Sequence, residues 1–244
     1  METTNKIVIF ILVITTVVAV MLTGLREVTM STALQNEDVF NKRAILAALG
    51  ENLDKSPDSM SDAEVLTVFN DKMEQVVLDM DGNVVKDAKA EKIDMAKEKK
   101  KPEAERQLPL YVYSSGGEKF YIVSVRGNGL WDEIWGTIAF KSDLNTVAGA
   151  SFDHKGETPG LGAEIKDNPT FPSRFKGTKI YDGSGEYVGI TVRKQGKRND
   201  HEVDGITGAT VTADGVTEML VRGIKYYQPY FEKVGKDKKV LGLK

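Results

Sequence analysis

The most constraining feature of this 244-residue sequence is an uncharged, apolar stretch close to its N-terminus. Residues 7–25 contain no Asp, Glu, Lys or Arg and consist mostly of Ile, Val, Leu, Met and Phe. As an α-helix this stretch rises about 28 Å, which is close to the thickness of a bilayer core. Backbone groups inside lipid must pair with one another, which favours a helix. We therefore predict a single transmembrane helix over 7–25, preceded by a leader at 1–6.

A cleaved signal peptide is the alternative interpretation of this stretch. Signal peptides have a shorter apolar region and a small-x-small cleavage site, and the segment from Thr23 to Arg26 does not provide one. An uncleaved anchor is therefore favoured. Lys6 lies on one side of the stretch and Arg26 with Glu27 on the other, so the charges alone do not decide its orientation.

Composition excludes several classes of function. The 33 basic and 36 acidic residues give a net charge of -3, which argues against a nucleic-acid partner. The absence of cysteine excludes disulfides, thiolate zinc sites and thiolate-held iron–sulfur clusters. With only His154 and His201 in the chain, a multi-histidine metal site is not expected. His154 heads a candidate ligand-binding segment, but we predict that it is a partly exposed turn residue and that His201 is structural.

The segment 26–107 reads as helices, a hairpin and a charged insertion. Residues 30–49 have helical apolar periodicity, and Ser61 with Glu64 forms a capping-box pattern. Residues 75–80 and 83–85 are predicted strands joined by an Asp-Gly turn.

The insertion, residues 86–106, is dense in Lys, Glu, Ala and Asp. Such a segment is either a partner-binding arm or a solvated helical or flexible insertion, and its composition favours the second.

From Leu108 onward the pattern is typical of strands. The predicted strands are 110–113, 119–125, 136–140, 146–152, 178–181 and 187–192, the last two forming a hairpin. A final helix presents Val216, Met219, Leu220, Gly223, Ile224 and Tyr227 on one face and is predicted to stop at Pro229. The fold class is therefore α+β, an antiparallel sheet with flanking helices over 108–230, followed by a basic tail over 231–244.

The segment from Asp204 to Thr212 lies directly before the final helix. Helix N-termini offer unpaired N–H groups and a positive dipole end, which suit a phosphate. Its glycines permit close approach of a ligand to the backbone, and its threonines supply hydroxyl groups. The alternative is a Gly/Thr-rich loop whose threonine only caps the helix, and composition alone favours that alternative.

Two further segments have the composition of ligand-binding loops. In the segment Glu157–Gly162, Pro159 and Gly160 predict a type II turn that can present N–H groups and a hydroxyl to a polar ligand. Residues 127–136 place two tryptophans beside glycines, which can cover an aromatic ring or simply pack a core. Neither a dinucleotide-binding G-x-G-x-x-G nor a P-loop is present, and two histidines outside any hydrolase motif give little support for a catalytic triad.

Taken together, these segments resemble a family of FMN-binding domains. The family occurs in the C subunit of the Na+-translocating NADH:quinone reductase and in the G subunit of the Rnf-type ferredoxin:NAD+ oxidoreductase. Its signature D-x-x-(S/T)-G-A-T is matched here by Asp204, Thr207, Gly208, Ala209 and Thr210. The family's E-T-P-G-L-G turn is matched by Glu157 to Gly162, and its G-x-G-L-W segment by Gly127, Gly129, Leu130 and Trp131. The Leu-Pro-Leu-Tyr-Val strand at 108–112 resembles the quinone-reductase protein more closely.

The resemblance implies that FMN is joined by a phosphoester to the hydroxyl of Thr210, the last residue of the signature. We expect no catalytic acid or base and no metal site, because the domain only holds a flavin that relays electrons. The expected cofactor-binding residues are Asp204, Thr207, Gly208, Ala209, Thr212, Glu157, Thr158, Gly160, Leu161, Gly162, Gly129, Leu130 and Trp131.

The resemblance also implies partners and a location. The partners are the other subunits of a membrane redox complex, the lipid bilayer, and a flavin transferase that uses FAD and Mg2+. The implied location is the cytoplasmic (inner) membrane, with a cytoplasmic N-terminus and the flavin domain on the periplasmic side. Two alternatives stay open: an Rnf-type G subunit, and a membrane-anchored binding module without flavin.

Overall fold

The structure is a computed structural model that describes residues 2–194 and 196–240, with Glu2 and the last five as backbone only. The chain divides into two units, and the division falls within the first helix, between Lys42 and Arg43.

Helix α1 (Glu2–Ala47) merges two helices that the sequence predicts separately, at 7–25 and 30–49. By length and composition it is able to cross a membrane over Thr3–Ala47. Its apolar side chains between Ile7 and Leu25 are exposed, as expected for a surface that faces lipid.

The described part of the second unit adds strands and shorter helices. In chain order they are α2 (Asp62–Lys72), β1 (Met73–Leu78), α3 (Met95–Glu98), β2 (Leu108–Ser115), β3 (Glu118–Asn128), β4 (Glu133–Phe140), β5 (Val147–His154), α4 (Glu164–Asp167), α5 (Thr170–Ser173), β6 (Thr191–Arg193), β7 (Glu202–Asp204), α6 (Thr210–Lys225) and α7 (Gln228–Val240). Helix α2 has the predicted capping box, since the side chains of Ser61 and Glu64 each accept a backbone N–H of the other residue.

Strands β1 to β5 form an antiparallel meander in chain order, so the predicted α+β class with an antiparallel sheet is confirmed. Strands β2 to β5 contain the strands predicted from Leu108 to Phe152. Side chains alternate between two faces. Leu110 and Val112 join the main core, to which α6 contributes Val216 and Leu220, whereas Tyr111 meets Phe69 of α2 edge-on at 5.6 Å.

Helix α6 packs closely against β3 at positions occupied by glycine, which has no side chain to separate them. A Cβ on Gly127 would come within 2.7 Å of Met219 Cβ, and one on Gly223 within 2.7 Å of Val125 Cγ1. A Cβ on Gly215 would overlap the carbonyl oxygen of Asn128. Close packing along this interface sets the first turn of α6 beside the β3–β4 turn.

The two predicted hairpins form, but with much shorter pairing than expected. At the first, Leu78 bridges Val84 and the N–H of Val85 bonds to the carbonyl of Val77 at 2.8 Å, while β1 pairs along its length with β2. At the second, Tyr181 bridges Tyr187, and within 178–193 only Thr191–Arg193 forms a strand, paired in parallel with β7. Local β-propensity favours an extended chain but does not decide the pairing partner, which tertiary packing selects.

The charged insertion is mostly exposed, as expected of a solvated helical insertion, but it is also anchored to the rest of the domain. Within 86–106 the chain makes short helical segments, and Ala90 and Glu98 are buried. Lys99 Nζ donates a hydrogen bond to Asn128 Oδ1 at 2.7 Å, at the end of β3. The composition did not predict these anchoring contacts, because they depend on a few buried residues within a largely charged segment.

Pro229 does not stop α6 as predicted. Helix α6 ends at Lys225, and Pro229 is the second residue of α7, where its missing N–H costs nothing. Residues 241–244 of the predicted tail lie outside the described residues.

The α6–β3 contact predicts the effect of Gly223→Ala in the full-length protein. Overpacking against Val125 costs about 1–3 kcal/mol, and the better helix propensity of alanine offsets up to about 1 kcal/mol. In urea titrations in detergent, we expect the free energy of unfolding of Gly223→Ala to lie about 1–3 kcal/mol below that of a control variant with the same gain in helix propensity. Gly235→Ala in α7 is that control, because a Cβ there meets nothing within 4 Å. A stability of Gly223→Ala equal to or above that of Gly235→Ala would contradict the proposed close contact.

Candidate functional site

The three segments singled out by the sequence meet at one edge of the sheet. The β3–β4 turn carries Leu130 and Trp131, and the segment after β5 carries Glu157 to Gly162. The antiparallel register places the start of β4 opposite the end of β5, with Ile134 paired to His154. The segment from β7 into α6 closes the group, so residues far apart in sequence form one site.

The buried carboxylate of Glu157 joins these three segments. Its Oε1 accepts the backbone N–H of Trp131 at 2.9 Å, and its Oε2 accepts the Thr212 hydroxyl at 2.6 Å. Glu157 is only 5% exposed. A Cβ on Gly129 or Gly162 would overlap this carboxylate, so steric exclusion explains why both motifs have glycine at these positions.

Glu157 is held in its ionised form. Burial by itself raises the pKa of a carboxyl group. Here the hydrogen bond from Thr212 and the backbone N–H groups of Trp131, Leu130 and Asp132 outweigh burial, and the pKa of Glu157 lies below its ordinary value. The site therefore contains a fixed negative charge below its surface at neutral pH.

Thr210 is the first residue of α6 and does not cap the helix. The capping position belongs to Ala209, which has no side-chain oxygen to accept an N–H of the first turn. Thr210 is exposed, and its hydroxyl makes no hydrogen bond within the described chain. The first-turn N–H groups and one free hydroxyl are thus presented together to solvent.

Large apolar side chains around Thr210 face outward. Leu130 is 51% exposed, Trp131 70%, Leu161 43% and Val211 53%. We call these four residues the apolar ledge. The indole N–H of Trp131 donates to Thr158 Oγ1 at 3.0 Å, which fixes one member of the ledge. Such a surface suits one face of a flat aromatic ring system.

The predicted type II turn is confirmed. The N–H of Leu161 bonds to the carbonyl of Thr158 at 3.1 Å, and Gly160 between them has φ +73°. Gly208 has φ +82°, and a Cβ there would come within 2.9 Å of Leu161 Cδ2. The two loops therefore touch where the signature requires a glycine.

The remaining predicted residues divide into surface and structural positions. Thr207 is exposed on the α6 side of the site. Asp204 accepts the backbone N–H of Lys197 at 2.9 Å, so its carboxylate shapes the loop that precedes α6.

The two histidines have structural contacts. His154 is partly exposed, as predicted, but it is the last residue of β5 rather than a turn residue, and its Nδ1 accepts the N–H of Glu157 at 3.1 Å. His201 contacts the carbonyl oxygen of Lys179 through Nδ1 at 2.8 Å, as expected of a structural residue.

Sequence reasoning missed Arg174. Its guanidinium donates hydrogen bonds to the carbonyl oxygens of Asp204 at 2.9 Å and Gly205 at 2.8 Å, both at the start of the segment that leads into α6. It sits 30 residues before Asp204, directly after α5, and no local pattern links the two positions. This arginine fixes the backbone at the start of the loop that leads to Thr210.

Comparison with known proteins places this geometry in a family. Residues 129–225 match the family of FMN-binding domains, a span that contains all three segments from Gly129 onward. The C subunit of the Na+-translocating NADH-quinone reductase from Pseudomonas aeruginosa is 33% identical over 242 residues, covering 90% of each chain. The chain belongs to this family of reductase C subunits. The C subunit from Neisseria meningitidis serogroup A is 30% identical over 91% of this chain and 90% of its own.

Solved structures of reductase C subunits support the same assignment. The protein from Parabacteroides distasonis has a TM-score of 0.73 and 38% identity, covering 83% of this chain and 96% of its own. The one from Shewanella oneidensis has a TM-score of 0.70 and 26% identity, covering 82% and 99%. As a member of this family, the chain is an FMN-binding, membrane-anchored subunit of an oxidoreductase complex and acts with other subunits.

The buried carboxylate generates a pH prediction. Replacing it in Glu157→Gln should lower the free energy of unfolding by about 1–3 kcal/mol at neutral pH. Because the folded-state pKa is lowered, this contribution is present above the ordinary value of 4.5 and is lost as the pH falls through the lower, folded-state value. Urea titrations at neutral pH and below pH 4.5 should therefore show the difference shrinking in acid. A difference that stays constant or grows in acid would contradict the assignment of an ionised carboxylate.

Proposed function

We propose that the chain carries FMN covalently, as a phosphoester of the Thr210 hydroxyl, and relays electrons through it. Thr210 Oγ1 replaces AMP on the FMN phosphate of FAD: the bond from phosphorus to Thr210 forms, the bond to the AMP oxygen breaks, and the hydroxyl proton leaves. A separate flavin transferase with Mg2+ performs this step during maturation.

The position of Thr210 is the observation that carries the proposal. Its hydroxyl is exposed and free of hydrogen bonds within the described chain, at a helix N-terminus whose capping residue has no side-chain acceptor. A phosphate on Thr210 lies beside first-turn N–H groups and the positive end of the α6 dipole. The cap-only alternative is disfavoured, because Ala209 occupies the capping position.

The residues around Thr210 fit the rest of the cofactor. The apolar ledge supplies a surface for the isoalloxazine ring, and Thr158 and Thr207 supply exposed polar groups beside it. When bound, the flavin supplies the redox chemistry. The protein orients it and leaves it exposed, so that redox partners can approach within electron-transfer distance.

Within the complex, we propose that this FMN receives electrons derived from NADH and passes them toward quinone, coupled to Na+ export. The family assignment supports this position in the chain of carriers. We propose further that α1 lies in the cytoplasmic membrane, with residues 1–6 in the cytoplasm and the domain at 108–230 on the periplasmic side.

Two substitutions of Thr210 test the covalent link. Full-length protein coexpressed with a flavin transferase should give a flavin-fluorescent band on a denaturing gel. Thr210→Ala should give a dark band because no hydroxyl remains, whereas Thr210→Ser should retain fluorescence because it keeps one. A fluorescent Thr210→Ala band would refute the attachment site, and a dark wild-type band would refute covalent attachment.

The absence of native cysteine permits a clean test of orientation. Glu118→Cys places a thiol at the exposed start of β3, and Asn5→Cys places one in the leader. In intact spheroplasts, a membrane-impermeant maleimide should label Glu118→Cys and leave Asn5→Cys unlabelled until the cells are lysed. The reverse pattern would place the flavin domain in the cytoplasm.

A further inference from the structure

The carboxylate of Glu157, expected from the sequence to contact the flavin, is directed into the protein. Both of its oxygens accept hydrogen bonds from protein groups, and backbone N–H groups of Leu130 and Asp132 also face it. Gly129 and Gly162 close over it so tightly that neither position has room for a Cβ. A side chain enclosed in this way cannot reach a ligand on the outer surface.

Thr212 shares this inward orientation, and helix geometry links it to Thr210. Thr212 is 2% exposed and donates its hydroxyl to Glu157. Residues two apart in an α-helix differ by about 200° around the axis. Fixing Thr212 toward the core therefore turns Thr210, in the same turn, toward solvent.

The other oxygen of the carboxylate, Oε1, fixes the backbone of the apolar ledge. The backbone N–H of Trp131 is tied to Glu157 while its indole stays on the surface, held by Thr158. One buried anion therefore sets both the direction of the Thr210 hydroxyl and the backbone that carries Leu130 and Trp131.

We propose that Glu157 is a positioning residue that makes Thr210 a competent flavin acceptor by orienting the first turn of α6 through Thr212. This inference rests on the proposed function and assigns Glu157 and Thr212 a role in acceptor geometry, without contact to the flavin. The role requires the ionised carboxylate, because an amide at position 157 keeps only one acceptor oxygen, and its N–H2 group would either face a backbone N–H or force the Thr212 hydroxyl to turn and accept.

The test is flavin transfer to the full-length protein in detergent, using a purified transferase, FAD and Mg2+, and following covalent fluorescence with time. Thr212→Val removes the hydroxyl at nearly constant volume, and we expect transfer to slow by about tenfold or more, the effect of losing a hydrogen bond to a charged group. Thr212→Ser keeps the hydroxyl and should transfer flavin at a rate within about threefold of wild type. This difference is smaller than the effect expected from losing the hydrogen bond. Glu157→Gln should be as slow as Thr212→Val.

Matched controls separate this role from general damage. Glu98→Gln neutralises another buried carboxylate, which accepts the N–H of Gln107, and should transfer flavin at the wild-type rate. Thr67→Val makes the same substitution on α2 and should also leave the rate of flavin transfer unchanged. Hydrogen exchange of the Trp131 backbone amide, measured before flavin is attached, tests its hydrogen bond to the carboxylate directly. The protection of this amide should be lost in Glu157→Gln and kept in Thr212→Val.

The outcomes are distinct. Thr212→Val transferring flavin as fast as wild type would overturn the proposal, as would Thr212→Ser being as slow as Thr212→Val. Unchanged protection of Trp131 in Glu157→Gln would also overturn it, whether or not that variant accepts flavin. A folded wild-type protein that accepts no flavin would overturn the proposed function itself, and this inference with it.

Discussion

Helix α6 can lie directly on strand β3 because glycines remove the side chains that would hold the two apart. Gly215 and Gly223 lie on one face of α6, and Gly127 lies on the facing strand. A helix with ordinary side chains at these positions would stand farther from the sheet. Its first turn would then move away from the β3–β4 turn, and the three segments of the site would no longer meet.

Given this contact, the site has an inner and an outer layer. In the inner layer, Glu157 binds the backbone of Trp131 and the hydroxyl of Thr212. The outer layer consists of Thr210 and the apolar ledge, which the inner layer presents to solvent. This arrangement suits the electron carrier that we propose, because a flavin attached to Thr210 would be accessible to partners while a buried network fixes the residue that holds it.

The sequence predicted the long strands well and singled out the three segments that the structure brings together, because both depend on local pattern. Periodicity located β2 to β5 and α6, and the signature located Thr210. The packing of 86–106, the parallel pairing of β6 with β7 and the role of Arg174 were not predictable, because each depends on contacts between distant residues. The inward orientation of Glu157 was missed for the same reason: a motif identifies a residue but not the direction of its side chain.

The central claim is that one flavin is attached to one threonine. Trypsin releases the peptide 199–222, which contains Thr207, Thr210, Thr212 and Thr217 and therefore holds every candidate hydroxyl at the start of α6. Fragmentation of this peptide from protein coexpressed with the transferase should place the mass of a single esterified FMN on Thr210 and on no other threonine. An unmodified peptide, or one modified at a different threonine, would contradict the account.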